Sequence, residues 1–269
     1  MFEGQNIVCL ALETLHTEDD CRHCGKPKEV HTIPSAYCIQ MGPSADTAKL
    51  EQFAAIGWDN KAALGLGIGC YWDCRDNRTY WFDVGTLEDT VRFLLDTQPL
   101  LVSFNGLNHD FPIMLDVLRQ TAERIRLNDV PPGQEAPTID HAADREGALL
   151  DVCEAFQSLF ASSYDILVEI WKIEPPSHFA RASHFARGVH SMDAISLANG
   201  LGQKLWRRGQ SLRKWADAPF ADALNACQDD VLRIKALFAL VATGQPLLLG
   251  DGRLITLPLP PGWPKETSR

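Results

Sequence analysis

Six apolar residues in a row, Ile7-Val8-Cys9-Leu10-Ala11-Leu12, lead directly into Glu13 and Thr14. A run apolar on both alternating faces predicts a strand at the centre of a sheet. Residues 63–72 alternate small and apolar side chains, and residues 78–84 form an aromatic strand. The polar stretch Asp73-Cys74-Arg75-Asp76-Asn77 between them predicts a β-hairpin. Thr86 is placed to cap a helix through about Thr97, with Pro99 as its stop. Leu100 to Phe104 reads as a short buried strand. Apolar positions 111, 114, 115, 118 and 125 recur at helical spacing and predict a long helix from about Phe111 to Leu127. Pro131-Pro132-Gly133 opens a loop to about 146. A further strand is expected at 149–152, a helix over 154–174, two short helices before 222, and a last strong helix at 222–242.

A leading strand and hairpin followed by alternating helix and strand predict an α/β fold, a mixed β-sheet flanked by helices. Residues 1–245 read as one domain, with 15–60 as a polar, irregular insertion and 246–269 as an extended C-terminal tail. The chain has 269 residues, 45% hydrophobic and 22% charged, which places it among globular rather than disordered proteins. No run reaches 18 apolar residues, so no transmembrane helix and no membrane partner are expected. The start, Met1 to Asn6, lacks the basic opening of a signal peptide, and a cytoplasmic location is the simplest expectation. Eight scattered cysteines fit a reduced interior better than a disulfide framework.

Three short stretches carry the candidate chemistry. The first is Ala11-Leu12-Glu13-Thr14 at the end of the first strand. The second is Phe104-Asn105-Gly106-Leu107-Asn108-His109-Asp110-Phe111-Pro112, where a strand ends in Asn-Gly and an Asp opens a helix. The third is Asn225-Ala226-Cys227-Gln228-Asp229-Asp230-Val231 in the last helix. An Asp at a helix start is favoured by the helix dipole without any further role, and an acidic pair on a helix is ordinarily a solvated face.

Taken in order, these stretches resemble the motifs of the DEDD-type 3′–5′ exonucleases: Asp-x-Glu-Thr, Phe-Asn-Gly-x-x-Phe-Asp-x-Pro and Tyr-Cys-x-x-Asp-Val. Ser163-Tyr164-Asp165-Ile166-Leu167 and the stretch from Ser191 to Lys204 resemble further segments of that family. The resemblance implies a ribonuclease H-like fold and phosphodiester hydrolysis at the 3′ end of single-stranded DNA or RNA. It also implies two metal ions, Mg²⁺ or Mn²⁺, held by carboxylates, with Glu13, Asp110 and Asp230 as ligands; hard cations take oxygen donors. This chain departs from the family pattern twice. Ala11 stands where the first Asp belongs, and Ala226 where the Tyr belongs. Positioned catalytic groups are worth about 10²–10⁴-fold each, so a weak or inactive enzyme is expected. A non-catalytic nucleic-acid-binding or protein-interaction module on the same fold is the alternative.

Other residues invite separate readings. Cys21, Cys24, His31 and Cys38 offer four Zn²⁺ ligands, although a single Cys-x-x-Cys is equally a polar loop with free thiols. With a net charge of −10, nucleic-acid binding would need a local basic track. Lys204, Arg207, Arg208, Arg213 and Lys214, interleaved with Trp206 and Trp215, form the densest one, and Asn105 would join it at the site. A solvated helix face over buried tryptophans is the plain alternative. Gly65, Gly67 and Gly69 do not make a dinucleotide fingerprint; they suit a strand that another backbone or a ligand approaches closely.

Overall fold

The computed structural model describes residue 2 and residues 4–14, 64–127, 139–175, 187–205 and 220–264. The first strand, β1 (Ile7–Thr14), is central, as its two apolar faces require. It pairs antiparallel with β2 (Leu66–Asp73) and parallel with β4 (Leu100–Ser103). Antiparallel to β2 runs β3 (Arg78–Phe82), and parallel to β4 runs β5 (Tyr164–Asp165). The result is a five-stranded mixed sheet in the order β3-β2-β1-β4-β5.

Helices cover both faces because the two faces of β1 are both apolar. Val8, Leu10 and Leu12 face a core with α1 (Leu87–Thr97), α2 (Asp110–Arg126) and α3 (Ile139–Ala161). Ile7, Cys9 and Ala11 face the opposite core. That core is built by α4 (Ile166–Ile173), α6 (Met192–Ala198) and α7 (Phe220–Ala242); the short α5 (Arg187–His190) precedes α6. Among the described residues, no helix is long and apolar enough to cross a membrane.

Three expectations change on contact with the structure. The stretch 149–152 is not a strand but part of α3. Its buried residues, Leu149, Val152, Cys153, Phe156 and Leu159, recur every three or four positions, and that longer period governs. The helix expected over 154–174 is broken by Ser162 and Ser163 and by β5, because Tyr164 and Asp165 pair with Val102 and Ser103. The segment 246–269 is not simply an extended tail. β6 (Leu247–Leu248) and β7 (Leu254–Ile255) pair antiparallel, and Leu247, Leu249, Ile255 and Leu257 are buried on the α7 side. Thr86 does sit at the N-cap of α1, but its hydroxyl exchanges hydrogen bonds with Asp83 rather than capping the helix.

Candidate functional site

Glu13 lies two residues beyond Ala11 on β1, hence on the same face, the one that α7 covers. The register of β1 against β2 shifts between Glu13 and Thr14, leaving Gly67 as the extra residue of a bulge. A Cβ on Gly67 would lie 2.9 Å from the Glu13 carbonyl oxygen, so only glycine lets the two backbones come this close. Gly69 serves the same end differently. A Cβ there would lie 2.0 Å from the Phe82 ring, which covers the glycine from β3.

Asp110 is set by the turn after β4. Asn105 adopts the left-handed region, φ 69°, which Asn tolerates better than most residues. A Cβ on Gly106 would lie 2.5 Å from Ser103 Oγ, which explains the glycine. The Gly106 carbonyl accepts from the amides of His109 and Phe111, and α2 opens at Asp110. Both members of the Asn-Gly pair are therefore required by the backbone, Asn for the left-handed turn and Gly for the close approach. The buried Asp110 carboxyl is pushed well above the ordinary carboxylate range. Burial is the main cause, and the charges of Asp165, Glu13 and Asp230 add to it while the Lys204 ammonium opposes.

Asp230 comes from α7. Its buried face repeats at Ala223, Ala226, Cys227, Asp230, Val231 and Ile234, so Ala226 sits one turn before Asp230 on that face. The Cys227 thiol donates to the Ala11 carbonyl oxygen at 3.5 Å, which seats α7 directly on the end of β1. Lys204 Nζ donates to Asp230 Oδ2 at 2.6 Å, with both side chains largely buried. Burial works to lower the Lys204 ammonium, but Asp230 and Glu13 outweigh it and its net direction is up. Among the described residues, buried Asp230 Oδ1 has no hydrogen-bond donor.

Glu13, Asp110 and Asp230, from three elements far apart in sequence, thus share one electrostatic neighbourhood with Lys204. They do not fit a two-ion centre as they stand. Ala11 offers no ligand atom, Lys204 occupies one oxygen of Asp230, and Ala226 has no hydroxyl to orient a water. Among the described residues, no group of three or more His, Cys, Asp or Glu side chains is arranged to hold a metal ion.

Lys204, read in the sequence as the first residue of a phosphate-contacting track, is turned inward onto Asp230 instead. The rest of that track, Arg207, Arg208, Arg213 and Lys214, lies outside the described residues, as do Cys21, Cys24, His31, Cys38 and the two tryptophans. A tandem His-Phe-Ala-Arg in the sequence, at 178–181 and 184–187, also falls there, apart from the backbone of Arg187. Asn105 contributes its backbone amide, which donates to Asp165 Oδ1 at 2.9 Å.

Two features of the site have little voice in the motifs. Asp165 is 1% exposed and binds both the Asn105–Leu107 turn and the start of α4. Its sequence signals are the resemblance of Ser163–Leu167 to a family segment and a position just before an apolar helical run, the mark of an N-cap. Arg233 and Asp229 form a spaced pair on α7 that looks like a surface i,i+4 bridge, yet the Arg233 side chain is 7% exposed. Comparison with protein-family models, with curated proteins and with solved structures finds no match for this chain.

Proposed function

We propose that this chain is a DEDD-type 3′–5′ exonuclease-like protein of ribonuclease H-like fold. In it, hydrolysis of a single-stranded DNA or RNA 3′ end is weakened or lost. The observation that carries the reading is that Glu13 and Asp230 both act electrostatically on the buried Asp110, so that three carboxylates from three elements share one neighbourhood. The strand end, the helix start and the late helix follow the order of the family motifs. The strand order β3-β2-β1-β4-β5, with β2 antiparallel to both of its neighbours and β1, β4 and β5 parallel, also suits a ribonuclease H-like arrangement.

Weakness follows from the residues themselves. With Ala11 no side-chain oxygen enters from the middle of β1, and burial biases Asp110 towards its neutral form. With Ala226 no phenol stands one turn before Asp230. A non-catalytic module that binds nucleic acid ends is the second reading, and the Lys204–Asp230 pair favours it, since the pair offsets an acidic site without any added ion.

The test is cleavage of 3′-labelled single-stranded DNA and RNA in Mg²⁺ and in Mn²⁺, by the native chain and by Ala11→Asp. The native chain should cleave slowly or not at all. Ala11→Asp should cleave faster by about 10²-fold, the lower value of one positioned group. A folded Ala11→Asp protein that neither cleaves nor binds the strands would overturn the proposal.

A further inference from the structure

The segment from Leu201 to Leu205 is an irregular strap tied to α7 through several of its backbone groups. The Arg233 guanidinium donates to the carbonyl oxygens of Leu201, Gly202 and Gln203 at 3.2, 2.8 and 2.6 Å. Arg233 is itself held by Asp229, Nε to Oδ2 at 2.7 Å, and the same Asp229 oxygen accepts the Leu205 amide at 3.2 Å. From the other side, Asp193 Oδ1 accepts the Lys204 amide at 3.2 Å. Backbone donors and acceptors on both sides of Lys204 are thus fixed by three charged side chains. The Lys204 side chain is the one this strap delivers into the acidic site, where its ammonium reaches Asp230 Oδ2.

We propose that Lys204 is the resident cation of this site, a tethered ammonium that competes with divalent metal for Asp230. Arg233 and Asp229 act as its positioning residues. The inference rests on the nuclease-like reading in assigning Asp230 to a metal-binding position and in taking Ala11 as the place of a missing oxygen donor.

The physical case has three parts. Buried carboxylates close together repel one another and need a counter-charge. Ala11 removes one oxygen donor that a divalent ion would use, which lowers the metal's advantage while leaving the ammonium's untouched. The strap fixes the lysine backbone in advance, so less conformational freedom is lost when the ammonium binds than a free cation would lose on immobilisation. Among the described residues Asp230 still has one buried oxygen without a partner, so the pair leaves room for a stronger cation once the lysine is removed.

The test is Mn²⁺ binding by calorimetry and thermal unfolding, with the native chain, Lys204→Met and Lys204→Arg. Lys204→Met keeps most of the length of the stem without the charge. It should bind Mn²⁺ at least about tenfold tighter than the native chain, because a unit positive charge about 4 Å away no longer opposes the ion. Lys204→Arg should behave as the native chain does. A folded Lys204→Met that binds Mn²⁺ no better than the native chain overturns the inference.

A second measurement needs no variant. Acylation of lysines in the native chain by an amine-reactive ester, read by mass spectrometry, should find Lys204 protected in metal-free buffer. It should become reactive at any Mn²⁺ concentration that loads the protein. Mn²⁺ binding that leaves Lys204 protected also overturns the inference. Cleavage reports separately. Tighter metal binding by Lys204→Met with no cleavage by Ala11→Asp sinks the nuclease reading alone. Cleavage by Ala11→Asp with unchanged metal binding by Lys204→Met sinks the resident-cation inference alone.

Discussion

Asp165 Oδ1 accepts the backbone amide of Asn105 at 2.9 Å, across 60 residues of sequence. The same carboxylate accepts the Leu107 amide, the Ser103 hydroxyl and the first amides of α4. One buried side chain thus holds the turn that ends β4 and the helix that follows β5. Asp110 is placed by this turn, so the candidate site inherits its geometry from a residue outside the three motif stretches.

Asp165→Ala should therefore be among the most damaging single changes. It leaves several buried donors without an acceptor, and a loss of about 3–5 kcal/mol is expected. Asp165→Asn keeps one acceptor oxygen and should lose less. Urea unfolding measures both, and a midpoint for Asp165→Ala equal to that of the native chain would reject the account.

The covered glycine of β2 predicts a coupled pair. Gly69→Ala should destabilise by about 1–3 kcal/mol, because a methyl group cannot share the space of the Phe82 ring. Phe82→Leu alone should also destabilise, by opening a gap. In the double variant the two losses should fall short of additive, since the smaller side chain makes room for the methyl. Strict additivity in the double-mutant cycle would show that the ring does not cover Gly69 as described.

Asp110 makes stability depend on pH. Its folded pKa lies above the unfolded value of 3.8, so the folded state holds the proton more tightly. The stability it contributes is present below pH 3.8 and is lost as pH rises through the folded pKa. Asp110→Asn removes this titration at nearly constant shape. The variant should be more stable than the native chain at neutral pH, and the gap should close as pH falls to about 4 or below. A gap that stays constant from neutral to acid pH would contradict the assignment.

The basic track has its own test. Neutralising Arg207, Arg208 and Arg213 together should weaken binding to single-stranded nucleic acid and flatten its salt dependence by up to about three phosphate contacts. Lys204→Met should change that slope little, because its ammonium is committed to Asp230. An unchanged slope in the triple variant would place the nucleic acid elsewhere or remove it.

The sequence by itself determined the elements that rest on local pattern. Two apolar faces made β1 central, a polar turn between a small-and-apolar run and an aromatic run made the β2–β3 hairpin, and helical spacing placed α2. Glu13, Asp110 and Asp230 are singled out by the resemblance of their stretches to exonuclease motifs, since local pattern alone reads a helix-start Asp or an acidic helix pair as ordinary. Only the tertiary structure decided the rest. Residues 149–152 are helical because their burial follows the period of the whole of α3, which four residues cannot display. Asp165 and Arg233 hold the site through bonds to backbone groups distant in sequence, and no spacing records such bonds. Lys204 belonged to a basic stretch by composition. The strap over α7 turned it inward, because a buried carboxylate at 230 needs a counter-charge and the chain brings an ammonium within its reach.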